Sequence, residues 1–142
     1  MNLSSVYRTV FIISIFLLLF LPIIYADVAI EWHHFGYYKS GSVSAYGTWK
    51  HNTGCHKDWI RVKITGMNPS DTDLLITIEQ RDDQTGNLKY TLWEGYLKLG
   101  ERTPKVYAKP LSNPDYSDYI WVKVTDTHGH SVSFTLYIEG RV

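Results

Sequence analysis

The chain reads as an all-β protein: a two-layer antiparallel β-sandwich of seven or eight strands, immunoglobulin-like in topology, preceded by an N-terminal hydrophobic signal helix. Three observations carry that expectation. Beyond the leader, apolar residues recur at every second position, the period that lines one face of a half-buried strand. Gly, Pro, Asn and Asp gather between these stretches, in "GMNPSDTD", "RDDQTGN", "KLGERTPK" and "KPLSNPDYSD". No stretch after the leader shows the i, i+3, i+4, i+7 stripe of an amphipathic helix. Short strands separated by turn signals are the pattern of a sandwich.

The leader comes first. Residues 10–24 are apolar, follow Arg8 and run into Pro22, Tyr25 and Ala26. A basic start, an apolar stretch of roughly 7–15 residues and a small residue at the cut make a secretory signal. Lengthening the run to the roughly 20 residues of a membrane span would draw Asp27 into hydrocarbon, where a carboxylate is costly. Cleavage after Ala26 is therefore expected, with 1–26 as signal peptide and 27–142 as one secreted domain free of the membrane. A retained anchor is the alternative.

Short strands are predicted in "VAIEW", "SVSAYGTWK" and "KVYAK". In "DWIRVKIT", Ile60, Val62 and Ile64 share one face; in "DLLITIEQ", Leu74, Ile76 and Ile78 do so; in "NLKYTLWEG", Leu88, Tyr90 and Leu92. "RDDQTGN" between the last two predicts a hairpin. The final strands carry Ile120, Val122 and Val124, then Val132, Phe134, Leu136 and Ile138, around "DTHGH". Pairing Thr125 with Ser131 sets each inward residue opposite another and puts Tyr119 opposite Tyr137.

The opposite faces hold rings as well as charges: Trp59, Trp93, Tyr119, Trp121 and Tyr137. Rings with polar handles suit half-wet strand positions in any sheet. A continuous aromatic strip is also a docking surface for sugar rings, a cell-wall component or a partner protein sheet, and these five residues are the expected binding positions.

Fourteen Lys+Arg balance fourteen Asp+Glu, so no basic face for nucleic acid and no polybasic segment for anionic lipid is expected. Cys55 is the single cysteine, which excludes an internal disulfide and leaves stability to packing. It is a candidate for a thiol link between chains, as edge strands are for self-association. "HNTGCHKD" brings His51, Cys55 and His56 together, ligand types suited to zinc or copper but without the spacing of a zinc finger. His33, His34, His128 and His130 add further imidazoles. A thiol nucleophile at Cys55 would lack an orienting acid. The pairs Asp71/Asp73 and Asp82/Asp83 fall in turns, where Asp commonly bonds its own backbone. With no phosphate loop, nucleotide fingerprint or nucleophile elbow, a non-enzyme is expected.

The stretch "SAYGTWKHNTGCHKDWIRV" resembles the opening of bacteriocins of the lactococcin 972 family, through Ser44, Ala45, Tyr46, Trp49, His51 and His56, with Trp32 and Gly36 resembling their Trp-Gly start. "IWVKVT" and "SVSF" are similar to the family's closing strands through Trp121, Lys123, Ser133 and Phe134. Together these cover about a third of the chain after the leader; residues 65–118 have no counterpart, and Cys55 departs from the pattern. The resemblance implies a secreted, unmodified antibacterial protein with a small β-sandwich, acting on the envelope of other bacteria without enzymatic chemistry. The competing classes are an extracellular structural subunit, anchored or fibre-forming, and a secreted metal-binding protein.

Overall fold

The computed structural model describes residues 33–54, 58–110 and 118–142. The expected leader, the strand expected in "VAIEW", and Cys55 and His56 lie outside the described residues. Within them the chain forms eight strands: β1 (His34–Val43), β2 (Thr48–Asn52), β3 (Trp59–Asn68), β4 (Asp73–Asp82), β5 (Leu88–Lys98), β6 (Val106–Tyr107), β7 (Asp118–Thr125) and β8 (Val132–Arg141).

They make two four-stranded antiparallel sheets, ordered β1-β8-β3-β6 and β2-β7-β4-β5. Every connection except β4–β5 therefore carries the chain from one sheet to the other. That interleaving is the strand order of a jelly roll, an eight-stranded double-sheet design. It replaces the expected immunoglobulin order, in which the first two strands are neighbours in one sheet.

The alternation read from the sequence builds the core. Ile60, Val62, Ile64, Phe134, Leu136 and Ile138 from the first sheet meet Leu74, Ile76, Ile78, Ile120, Val122 and Val124 from the second in one buried cluster. Each such side chain contributes about 1.5–3 kcal/mol by leaving water. Two faces sharing one core make the arrangement sandwich-like, with Phe35, Tyr37, Trp49 and Trp93 packed against its margin.

Three sequence expectations are corrected. First, β7 and β8 do not pair: β7 lies between β2 and β4, and β8 between β1 and β3. Second, "SVSAYGTWK" is two strands and a turn, because Gly47 donates to the Ser44 carbonyl (2.8 Å) and Tyr46 takes φ +59°. Third, Leu88, Tyr90 and Leu92 do not form one inward row. The β4–β5 register shifts between Ile78 and Glu79, so Trp93 pairs with Ile78 and Leu97 with Leu74. An extra residue in one strand reverses which side chains face the core. The β4–β5 hairpin itself is present as expected.

The open side between edge strands β1 and β2 is closed by rings. Trp49 stacks on His51 (5.7 Å, 20°) and meets Phe134 edge-on (5.2 Å), and the Tyr37 hydroxyl bonds His51 Nε2 at 2.9 Å. Trp49 reaches this place because Gly41 has no side chain: a β-carbon there would lie 2.7 Å from the indole.

Candidate functional site

The five expected binding residues do not form one strip. Tyr137 and Trp59 lie on the outer face of the first sheet, Tyr119 and Trp121 on that of the second, and Trp93 turns inward, its ring over Gly95. Trp59 is only 6% exposed, covered by the Lys105 ammonium (4.5 Å from the ring), Arg61 and His34. Trp121 is half-buried below the Arg81 guanidinium, beside Glu79, whose buried carboxylate is bound by Arg81 (2.7 Å) and Lys123 (3.1 Å). Burial works against ionisation of Glu79, but these two cations outweigh it and hold its pKa below the ordinary value.

The rings that do reach solvent are tyrosines: Tyr38, Tyr46, Tyr96 and Tyr107, all more than half exposed. Two of them stand at one end of the molecule, where two connections meet the paired ends of β4 and β5. The β3–β4 turn supplies Pro69, Asp71 and Thr72, the β4–β5 pair supplies Asp73 and Lys98, and the β7–β8 crossing supplies His128 and His130. Together they surround an open depression of about 460 Å³. His128 Nε2 and Asp73 Oδ1 are 2.5 Å apart, and the His128 ring is 6.1 Å from that of Tyr96. The Thr127 hydroxyl bonds the Tyr96 hydroxyl at 3.2 Å.

Asp126 fixes this end. Its side chain, 1% exposed, accepts the backbone N–H groups of Tyr46 (2.9 Å), His128 (3.2 Å) and His130 (2.9 Å), while its own N–H donates to Gly47 (3.1 Å). Desolvation favours the neutral acid, yet these amide donors prevail and the pKa of Asp126 is lowered. One carboxylate thus holds the β1–β2 turn against the β7–β8 crossing. Tyr46 needs that hold, since φ +59° is unfavourable for a side chain of its size. The Tyr46 hydroxyl lies where a β-carbon on residue 129 would be, at 2.9 Å, so Gly129 both allows this contact and supplies the turn with φ +78°.

The depression offers carboxylate acceptors, an ammonium and imidazole nitrogens at a wet, open site with tyrosine rings beside it. That set can hold a polar ligand by several hydrogen bonds and a ring contact. Of the metal candidates, His51 faces the core side of β2 and is committed to Tyr37. Burial, and then the Lys39 charge, depress its pKa. Among the described residues no group of three or more His, Cys, Asp or Glu side chains is arranged to hold a metal ion.

The sequence displayed Asp71, Asp73, His128 and His130 but not their meeting. The signal that could have joined them was the short crossing "DTHGH", read as a hairpin loop rather than a step between sheets.

Fold and site define a small antiparallel β-sandwich of jelly-roll strand order with an open polar depression at its loop end. Compared with known proteins, the chain matches no protein-family model and no curated relative. No helix among the described residues is long and apolar enough to cross a membrane.

Proposed function

We propose that this protein is a secreted, non-enzymatic binding module that takes a hydroxyl-rich component of the cell envelope, a glycan or cell-wall fragment, at its loop end. One observation carries the reading: Asp71, His128 and His130 from two connections and Asp73 and Lys98 from the paired ends of β4 and β5 converge on an open depression flanked by exposed tyrosines. Sugars present hydroxyls to carboxylates and imidazoles and apolar ring faces to aromatics, so this composition suits them. Loops positioned by a rigid scaffold are where binding sites concentrate.

The resemblance to the lactococcin 972 bacteriocins gives this reading a biological form: an antibacterial protein that recognises the envelope of other bacteria. Secretion rests on the apolar leader and Ala26. Sequencing the N-terminus of exported material should give Asp27 first; an intact leader would favour the anchored structural subunit.

The binding test is a screen of the purified protein against glycans and cell-wall fragments, with Asp73→Asn and His128→Ala beside it. Both positions are at the surface, and both variants should stay folded and lose most binding. A protein that binds no member of the screen, or variants that bind like the wild type, would remove the proposal.

A further inference from the structure

Lys and Arg balance Asp and Glu along the chain, which predicts no basic face. The fold departs from that expectation by sorting the charges. The four strands of the first sheet contain one carboxylate, Glu139. Arg61 and Lys63 of β3 and Arg141 of β8 stand on the outward side, because Ile60, Val62, Ile64 and Ile138 between them are fully buried. The segment along the edge of β3 adds two more cations: Arg102 bridges Lys63, and the Lys105 ammonium lies 4.5 Å from the Trp59 ring.

The acids nearest this face are already engaged. Glu139 binds the Arg61 guanidinium at 2.5 and 2.6 Å, and Asp58, just before β3, binds Arg141. Lys63 and Arg102 are both exposed, and among the described residues neither has a carboxylate partner. Glu101, next to Arg102 in the chain, makes no ion pair among the described residues either. Residues directly opposite in an antiparallel pair have β-carbons about 4.5–5.5 Å apart, and like charges so placed are destabilising. The backbone keeps the two from drifting apart. Thr103, 1% exposed, donates its N–H to the Val62 carbonyl (2.8 Å) and accepts the Val62 N–H at its hydroxyl (3.1 Å), while the Ile64 N–H donates to the Glu101 carbonyl (3.1 Å).

Rings continue the line from this cation pair. Lys63 stands opposite Tyr137 and Tyr137 opposite Tyr38; the two rings are 5.0 Å apart, and Tyr38 is 70% exposed. Arg102, Lys63, Tyr137 and Tyr38 therefore form one row across the outer face, about 14 Å long at roughly 4.8 Å per strand spacing.

We infer that this row is a second binding surface, for a linear cell-surface polymer of phosphodiester-linked sugar or polyol units. A phosphate seated at Lys63 and Arg102 relieves their repulsion and meets a compact ammonium beside a planar guanidinium fork, groups that suit phosphate oxygens. The neighbouring unit of the polymer then lies against Tyr137 and Tyr38, whose faces take its apolar side. The loop-end depression has no part in this surface, and the inference shares with the reading above only the expected export.

Salt dependence is the test. Binding of purified poly(glycerol phosphate) is measured by calorimetry at about 50 and 200 mM salt, with wild-type protein, Lys63→Gln, Arg102→Gln and Tyr38→Ala, and a single-stranded oligonucleotide of equal charge beside it. With two cations engaged, wild-type affinity should fall roughly tenfold across that range. Lys63→Gln and Arg102→Gln should each weaken binding and lower the salt slope by about one, whereas Tyr38→Ala should weaken binding at an unchanged slope. Lys63→Gln should melt no lower than the wild type, since it removes the like-charge contact. Neutral glycans bound at the loop end should bind both charge variants as they bind the wild type. No binding of the polymer at low salt, or charge variants that bind it like the wild type, overturns the inference and leaves the loop-end reading standing. Tighter binding of the oligonucleotide overturns it in favour of nucleic acid. A glycan screen that fails while the polymer binds with the expected slopes removes only the loop-end reading.

Discussion

Gly41 and Gly66 sit in neighbouring parts of the first sheet, yet alanine should have opposite effects at the two. At Gly41 an added β-carbon would come within 2.7 Å of Trp49 Cε2 and Nε1 and 2.9 Å of Phe134 Cζ. Ordinary contact begins near 3.4 Å, so the indole must retreat by about 0.7 Å. It cannot do so alone, because it stacks on His51, which is bonded to Tyr37, and abuts Phe134 in the core. Overpacking of this kind costs about 1–3 kcal/mol. At Gly66 the new carbon would meet only Thr135, at 3.5 and 3.6 Å. There the lower chain entropy of alanine in a strand should stabilise by about 0.5–1 kcal/mol. The two variants should therefore differ by about 1.5–4 kcal/mol. Urea unfolding with a common slope measures this, and melting temperatures should separate by about 5 °C per kcal/mol. Equal midpoints for the two variants would refute the reasoning, as would Gly41→Ala indistinguishable from wild type.

Acid should weaken the fold in two windows. His51 is depressed below its ordinary 6.5, so the folded state resists its protonation; the stability this lends is present above about pH 6.5 and is lost as pH falls through the lower folded value. Glu79 is likewise depressed, so its contribution is complete above about pH 4.5 and disappears below. In denaturant titrations across pH, His51→Gln should flatten the upper window and Glu79→Gln the lower one; wild-type slopes in either variant would contradict the assignments. Asp126→Asn should speed amide hydrogen exchange at Tyr46, His128 and His130 and weaken binding at the depression, leaving core amides of β4 and β7 protected. Unchanged exchange at those three amides would show that the carboxylate is not the clasp.

The inner faces of β3, β4, β7 and β8 were legible because each holds at least three apolar residues at every second position: Ile60, Val62 and Ile64; Leu74, Ile76 and Ile78; Ile120, Val122 and Val124; Val132, Phe134, Leu136 and Ile138. β1 was not. Its inward positions are Phe35, Tyr37, Lys39, Gly41 and Val43, and an edge strand can carry a lysine inward because its end reaches solvent. The glycine there is a packing requirement of Trp49, a residue of another strand, so nothing local announces it. Trp93 was misplaced for a similar reason: the bulge that turns it inward is a property of the β4–β5 pair and leaves no mark in "TLWEG" read alone. The candidate site suffered most, since its residue types were visible but their proximity depends on two connections and the ends of β4 and β5 reaching the same place.

The misreading of β7 and β8 has a physical cause. In a hairpin, inward residues of one strand lie beside inward residues of the next; in a sandwich, they lie across the core from one another. Either way apolar meets apolar, so the pattern Ile120, Val122, Val124, Val132, Phe134, Leu136 satisfies both. What separates the two is the connection. Stacked sheets lie about 10 Å apart, about twice the spacing of paired strands, so a chain that changes sheets needs a connection that spans the gap and is pinned at the turn. Residues 126–131 do this with Asp126 collecting the amides of His128 and His130 and with Gly129 in the left-handed region. The same carboxylate also captures Tyr46 from the β1–β2 turn, another crossing between the sheets. The carboxylate that pins this crossing is thus also the one that assembles the loop end, where His128 meets Asp73.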